Sequence, residues 1–280
     1  MQLSHSSVFF YIQVPCIDMR QFPQRDSPII SQAYFSEQVY LVMEEGNWAY
    51  IETAADSYKG WVPINSLSLQ EEPFFLDTSL VARVNRCTAH LYDREDTICG
   101  PILTLPFDSR LKVNSPKKDL TSRWIQLTLL DGTNAYIQRG DVTLQSFIKK
   151  KEELTCFSLQ FLNLPYTWGG RSSFGYDCSG FVQMLYRQLE IYLPRDAKDQ
   201  LSWEGFKQAS LDDLQSGDLL FWGTSQNNIS HVGMYLEQHR FIHATVAENA
   251  PYIRVSYLSD PHWNGLGTWP YLAARTLITK

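Results

Sequence analysis

The sequence predicts an α+β protein: two small β-barrels, then a region in which helices precede an antiparallel meander. Three observations carry that prediction. Up to about residue 145 the chain alternates short apolar and β-branched runs with turn residues, this cadence occurs twice, and helical spacing takes over from Phe147 before strands return.

In the first stretch, from about residue 8 to 69, Val39-Tyr40-Leu41-Val42-Met43 leads through the turn residues Glu44-Glu45-Gly46-Asn47 into Trp48-Ala49-Tyr50-Ile51, a hairpin signal. Gly60-Trp61-Val62-Pro63 closes the series, with the spacing of a barrel of about 60 residues. A second copy of the cadence runs from about residue 80 to 145 through Leu111-Lys112-Val113, Trp124-Ile125-Gln126-Leu127, the turn Asp131-Gly132 and Ala135-Tyr136-Ile137. From Phe147 to Leu162 the residues Phe157, Phe161 and Leu162 fall at helical spacing and mark entry into a third region. There the strand-like runs Leu219-Leu220-Phe221-Trp222, His231 to Leu236 and Arg240 to Ala244 follow a helix, with Thr224 to Asn228 as a polar turn. The expected domains are residues 1–72, 78–146 and 150–280.

The chain has 280 residues, 44% hydrophobic and 19% charged, with net charge −6, enough for a sizeable core and unlike a disordered or polyphosphate-binding chain. Nucleic acid is therefore not an expected partner. The densest basic run, Lys149-Lys150-Lys151, passes directly into Glu152-Glu153 and reads as a solvated linker. Cys16, Cys87, Cys99, Cys156 and Cys178 are odd in number and lack any Cys-x-x-Cys spacing, so reduced thiols are expected and no metal or other cofactor. No apolar run reaches the roughly 18 residues of a membrane span. No Lys or Arg precedes Arg20, and the apolar run Val8 to Val14 ends at Pro15 without a cleavage site. A cytoplasmic monomer is the expectation, with unconventional export left open.

Cys178 stands where a loop turns into a helix. The glycine-rich Pro165-Tyr166-Thr167-Trp168-Gly169-Gly170 lies upstream, Asp177 is suited to cap the helix, and Phe181, Val182, Leu185 and Leu189 form its apolar stripe. In a first turn, unsatisfied N–H groups and the helix dipole favour a thiolate, the property of a nucleophile; the plainer alternative is a small buried hydrophobe. A base is then required, and histidine suits neutral pH. His5 falls in the N-terminal tail, His90 in the second β module, His239 in a hairpin turn and His262 in a loop-like tail, which leaves His231 and His243. Adjacent antiparallel strands would bring these two together, with the Nδ1–H of His231 donated to His243 and Gly233 leaving room beside His231. A pair of satisfied core histidines is the alternative.

Five ordered blocks now fit together: Pro165-Tyr166-x-Trp168-Gly169-Gly170; Asp177-Cys178-Ser179-Gly180-Phe181; Leu193-Pro194-Arg195-Asp196 with Gln200; Gly217-Asp218-Leu219 with Phe221; and His231-Val232-Gly233-Met234-Tyr235 ending at His243. Over about residues 155–278 the chain resembles the NlpC-type cell-wall peptidases, papain-like cysteine hydrolases, and its β modules resemble bacterial SH3-like domains. The whole arrangement is similar to that of γ-D-glutamyl-L-diamino-acid endopeptidases acting on murein peptides.

The resemblance implies Cys178 as nucleophile, His231 as general base and His243 as the polar residue that orients it. It further implies Tyr166 at the oxyanion, with Asp177 and Ser179 at the substrate's free amine or backbone, although Asp177 also reads as a cap and Tyr166 as a packing residue. Tyr58 matches a tyrosine of the first module that closes the pocket over the substrate N-terminus. The family often has an acidic residue before the proline of that module, whereas here Phe22 precedes Pro23, so an N-terminal L-Ala is implied less firmly than hydrolysis. Arg195 and Asp196 are candidates to shape the pocket, with a surface ion pair as the simpler reading. An amidase or acyltransferase with the same cysteine and histidine, or a non-enzymatic wall-binding protein, are the alternatives.

Overall fold

A computed structural model of the chain describes residues 8–114, 122–144, 150–265 and 270–278. His5, Phe147 and Lys149 lie outside them. The chain divides into two units, Met1–Ser146 and Phe147–Lys280.

Among the described residues the first unit holds two sheets. One is built from β1 (Phe9–Ile12), β2 (Cys16–Arg20), β3 (Ile29–Tyr34), β4 (Gln38–Glu45), β5 (Trp48–Thr53), β6 (Lys59–Pro63) and β7 (Leu67–Gln70), in the order β3-β2-β6-β5-β4-β1-β7. The other is built from β8 (Val81–Val84), β9 (Thr88–Tyr92), β10 (Leu103–Pro106), β11 (Arg110–Val113), β12 (Trp124–Thr128), β13 (Asn134–Gln138) and β14 (Val142–Thr143), in the order β10-β9-β13-β12-β11-β8-β14. Raising every strand number of the first order by seven gives the second, so the repeated cadence of the sequence is a repeated topology. The period-two pattern explains the strands: in β5, Ala49, Ile51 and Thr53 are buried while Trp48, Tyr50 and Glu52 are less so. Pairing extends β4 to Glu45, so the four-residue turn expected there shrinks to Gly46-Asn47, with Gly46 at φ +59°.

The two sheets share apolar contacts. Tyr11 and Phe35 join Val84, Leu91, Leu105, Ile125, Leu127 and Ile137 in the second core, and the Tyr11 hydroxyl accepts from the Phe74 N–H at 3.1 Å. Ser36 Oγ donates to the Arg110 carbonyl at 2.6 Å and Gln70 Nε2 to that of Leu130 at 2.8 Å.

In the second unit, α1 (Glu153–Ser158) leads to the short hairpin β15 (Arg171–Ser172) and β16 (Gly175–Tyr176), then α2 (Cys178–Arg187) and α3 (Ala197–Leu201). A six-stranded sheet follows, from β17 (Phe206–Ala209), β18 (Leu219–Ser225), β19 (Asn228–Tyr235), β20 (Arg240–Thr245), β21 (Tyr252–Tyr257) and β22 (Tyr271–Leu277), in the order β17-β22-β18-β19-β20-β21. The expected meander is β18 to β21. Beyond it, the residues past His262 supply a further strand, because β22 returns to pair with both β17 and β18. The turn expected over Thr224 to Asn228 contracts to two residues, since Ser225 pairs with Asn228.

Helix α2 is more deeply placed than a surface helix, with every residue from Ser179 to Tyr186 buried. Phe161, Tyr176 and Phe181 meet with ring centroids 5.7 to 6.2 Å apart. Burial of Phe181, Val182 and Leu185 contributes about 1.5–3 kcal/mol each and fixes the helix on the sheet. Lys151 departs from the solvated linker read in the sequence. Its ammonium pairs with the buried carboxylate of Asp218 and donates to Thr276 Oγ1 at 3.1 Å, tying the start of the unit to β22. Among the described residues no helix is long and apolar enough to cross a membrane, and no cluster of His, Cys, Asp and Glu is placed to hold a metal ion.

Candidate active site

Helix α2 begins at Cys178 because Asp177 caps it: its backbone is extended and its Oδ1 accepts from the Gly180 N–H at 2.7 Å. The glycine-rich loop packs directly on this first turn. The Asp177 N–H donates to the Gly170 carbonyl at 3.1 Å, and a Cβ on Gly180 would run into that same carbonyl oxygen. The Asp-Cys-Ser-Gly order therefore has a steric cause, since only glycine lets the loop lie against the helix at this point. Tyr166 enters with the loop, its backbone bridging to Tyr176.

Opposite the helix end, His231 on β19 and His243 on β20 stand with His231 Nε2 2.7 Å from His243 Nδ1. This reverses one expectation: the nitrogen of His231 turned to its partner is Nε2 rather than Nδ1. Gly233 makes the approach possible on the His243 side, because a Cβ there would lie 3.2 Å from His243 Cβ and 2.9 Å from Phe241 Cδ2. His243 Nε2 in turn lies 3.0 Å from Ser256 Oγ on β21. Trp263 covers both imidazoles, its ring centroid 4.9 Å from that of His231 and 4.7 Å from that of His243, while Trp222 and Phe241 close the other sides.

These apolar walls decide the charge states. Burial holds His231 down at about 3, and His243 well below its ordinary value, with the neighbouring His231 and Arg254 adding to the effect. Both rings are neutral at rest. Cys178 is only partly buried as a residue, yet its sulfur lies deep enough for burial to push the thiol up to about 12, the charge of Asp177 adding to the rise. The N–H groups of Val232 and Ser179 and the guanidinium of Arg195 oppose it and lose. Burial thus works against the thiolate expected from the helix position. Burial also raises Tyr166, as do Cys178 and Asp177, which sets its phenol in the same electrostatic neighbourhood.

Arg195 corrects the sequence reading outright. It is 3% exposed, with Nη2 2.6 Å from Asp177 Oδ2, and Nη1 3.1 Å from Asp177 Oδ1 and 2.8 Å from Ser179 Oγ. Burial works against its charge, and Asp177 more than offsets that. Its partner is Asp177 and not only the adjacent Asp196, because the turn after Pro194 folds it under the helix. Gln200 completes the underside by donating to the carbonyls of Ser179 and Pro194 at 3.0 and 2.9 Å.

Comparison with known proteins fits this geometry. The model of the NlpC/P60 family matches residues 163–266, and that of the bacterial dipeptidyl-peptidase Sh3 domain matches residues 19–67. The γ-D-glutamyl-L-lysine dipeptidyl-peptidase of Bacillus cereus (strain ATCC 10987 / NRS 248) is 30% identical over 234 residues, 79% of this chain and 68% of its own. This chain belongs to the NlpC/P60 family. The corresponding dipeptidyl-peptidase of Bacillus subtilis (strain 168) is 27% identical over 78% of this chain and 73% of its own length. A crystal structure of an NlpC/P60 family protein from Bacillus cereus ATCC 10987 shares the fold, with TM-score 0.83 and 24% identity over 98% of this chain and 100% of that one.

As an NlpC/P60 member the protein is a cysteine peptidase, with a papain-like fold preceded by SH3-like β structure. Of the residues singled out in the sequence, Tyr166, Asp177, Cys178, Ser179, His231 and His243 all belong to its second unit. Tyr58 belongs to the first, where it packs on a core that includes Ile51 and Val62 and its N–H donates to Thr53 Oγ1 at 3.1 Å. Ser256 was not foreseen. A serine facing inward on a strand of alternating residues was its one signal.

Proposed function

We propose that this NlpC/P60 peptidase hydrolyses the γ-D-glutamyl-L-diamino-acid bond of bacterial cell-wall murein peptides, with diaminopimelate as the diamino acid, and that it acts on free peptides bearing an N-terminal L-Ala. Support for this bond comes from the names of the two dipeptidyl-peptidase relatives, and support for the chemistry from the site. The observation that carries it is the imidazole pair, 2.7 Å apart, with His231 on the strand whose Val232 N–H reaches the Cys178 sulfur.

His231 Nε2 is committed to His243, so Nδ1 takes the proton from Sγ as the sulfur attacks the γ-carbonyl of D-Glu. With the thiol raised and the imidazole lowered, this transfer proceeds with attack rather than before it. The Tyr166 hydroxyl and the Cys178 N–H receive the oxyanion. Collapse breaks the C–N bond, and His231 returns its proton to the departing amine of the diamino acid. His231 then deprotonates water, which attacks the thioester and frees the γ-carboxyl and the thiol. Ser179 and Asp177 meet the peptide end, although Asp177 already accepts from Gly180 and Arg195 and would share those oxygens with an ammonium.

The test is incubation of the protein and its Cys178→Ala variant with L-Ala-γ-D-Glu-diaminopimelate, its L-Lys counterpart and sugar-bearing muropeptides, followed by mass spectrometry. Expected is L-Ala-D-Glu from the free diaminopimelate peptide and none from the sugar-bearing muropeptides, lost with the sulfur; the L-Lys counterpart reports which diamino acid is preferred. Release of sugar-linked products, acyl transfer, or cleavage surviving Cys178→Ala overturns the proposal.

A further inference from the structure

Beyond the two imidazoles, a third side chain continues the same line of hydrogen bonds. His231 Nε2, His243 Nδ1, His243 Nε2 and Ser256 Oγ follow one another with contacts of 2.7 and 3.0 Å. Ser256 is 1% exposed and sits on β21 opposite Phe241, one diagonal from His243, which pairs with Arg254. A hydroxyl buried beside aromatic rings is costly unless bonded, and its bond here is to an imidazole.

Both rings being neutral, each carries one proton, and the 2.7 Å contact between two nitrogens holds one of them. Two arrangements satisfy the row. In the first, Ser256 Oγ accepts from His243 Nε2–H, His243 Nδ1 accepts from His231 Nε2–H, and His231 Nδ1 keeps its lone pair. In the second every donor is reversed: Ser256 donates to His243 Nε2, His243 Nδ1–H donates to His231 Nε2, and the proton of His231 sits on Nδ1. Only the first leaves Nδ1 able to take a proton, and only the first persists when His231 becomes an imidazolium, whose Nε2–H must be donated.

We propose that Ser256 is a positioning residue: by accepting from His243 Nε2–H, its hydroxyl sets the tautomers of both imidazoles and keeps His231 Nδ1 available as a base. This rests on the reading of His231 as the base for Cys178. Without the hydroxyl, the working arrangement strands a buried N–H, whereas the reversed one strands only a lone pair, so the balance moves toward the inert tautomer.

The experiment uses the full chain with ¹⁵N-labelled histidine. Imidazole ¹⁵N–¹H spectra of the wild type at neutral pH should place the proton of His243, and that of His231, on Nε2. In Ser256→Ala these protons should move toward Nδ1, and kcat on the free tripeptide should fall about ten- to a hundredfold with KM changed less than about twofold, the loss expected for one stranded buried donor. Ser256→Thr, which restores the hydroxyl, should recover most of the rate and the wild-type spectrum. A wild-type spectrum with the proton on His243 Nδ1 overturns the proposal even where no variant folds, as does Ser256→Ala with unchanged kcat and tautomers. The spectra need no turnover. Hydrolysis that survived Cys178→Ala would therefore remove the mechanism while leaving the assignment of protons to be judged by itself.

Discussion

Replacing Arg195 by Met keeps the length of the side chain and removes the charge beneath Asp177. The guanidinium touches both carboxylate oxygens, at 2.6 and 3.1 Å, and Ser179 Oγ at 2.8 Å, with the two side chains 2% and 11% exposed. Arg195→Met therefore strands a buried carboxylate, a defect that costs about 3–5 kcal/mol. At about 3 °C per kcal/mol for a unit of this size, the melting temperature of the second unit should fall by roughly 9–15 °C. Urea unfolding followed by near-ultraviolet circular dichroism gives the free energy, and calorimetry gives the shift. The double variant Asp177→Asn/Arg195→Met should lose less than Arg195→Met alone, because no carboxylate is left without its partner. If Arg195→Met costs under about 1 kcal/mol, the pair behaves as an exposed one, and the account of a buried ion pair under the helix is wrong.

Three further outcomes are expected. Gly180→Ala drives a methyl group into the Gly170 carbonyl and should destabilise the protein by about 1–3 kcal/mol while displacing Cys178 enough to abolish hydrolysis; a fully active Gly180→Ala would contradict the close approach of loop and helix. Iodoacetamide labelling of Cys178, resolved by peptide mass spectrometry from Cys16, Cys87, Cys99 and Cys156, should keep accelerating above pH 8.5, since burial pushes this thiol up to about 12; a plateau already reached below pH 8.5 would mean that the N–H groups outweigh burial. His231 and His243 are held below their ordinary values, so the stability they confer is complete above about pH 6.5, the unfolded value, and is lost as pH falls toward about 3 for His231, at up to about 1.4 kcal/mol per pH unit for each ring. His231→Gln should flatten the urea-midpoint profile between about pH 6.5 and 4.5, and an unaltered slope there would show that the ring is solvated in the fold.

Local pattern made much of this legible. Alternation along β5 and β12 marked the strands, and the order Asp177, Cys178, Ser179, Gly180 marked the start of α2, because both are properties of neighbouring residues. What escaped depends on residues far apart in sequence. Strand β22 is defined by its partners β17 and β18, Lys151 is drawn partly out of solvent by its pairing with the distant Asp218, and Arg195 has an adjacent Asp196 that makes the wrong pairing the simpler one to read. The histidine pair was legible as two residues on adjacent strands, but not in which nitrogens face each other, since ring orientation is set by Trp222, Phe241 and Trp263 around them. Charge was the least accessible property: position at a helix end speaks for a thiolate, and only three-dimensional burial decides against it.

Tyr11 and Phe35 leave their own barrel to complete the interior of the next. Neither barrel can then melt alone without baring apolar rings in the other, so the pair unfolds as one cooperative step, and a lesion in either should lower the transition of both together.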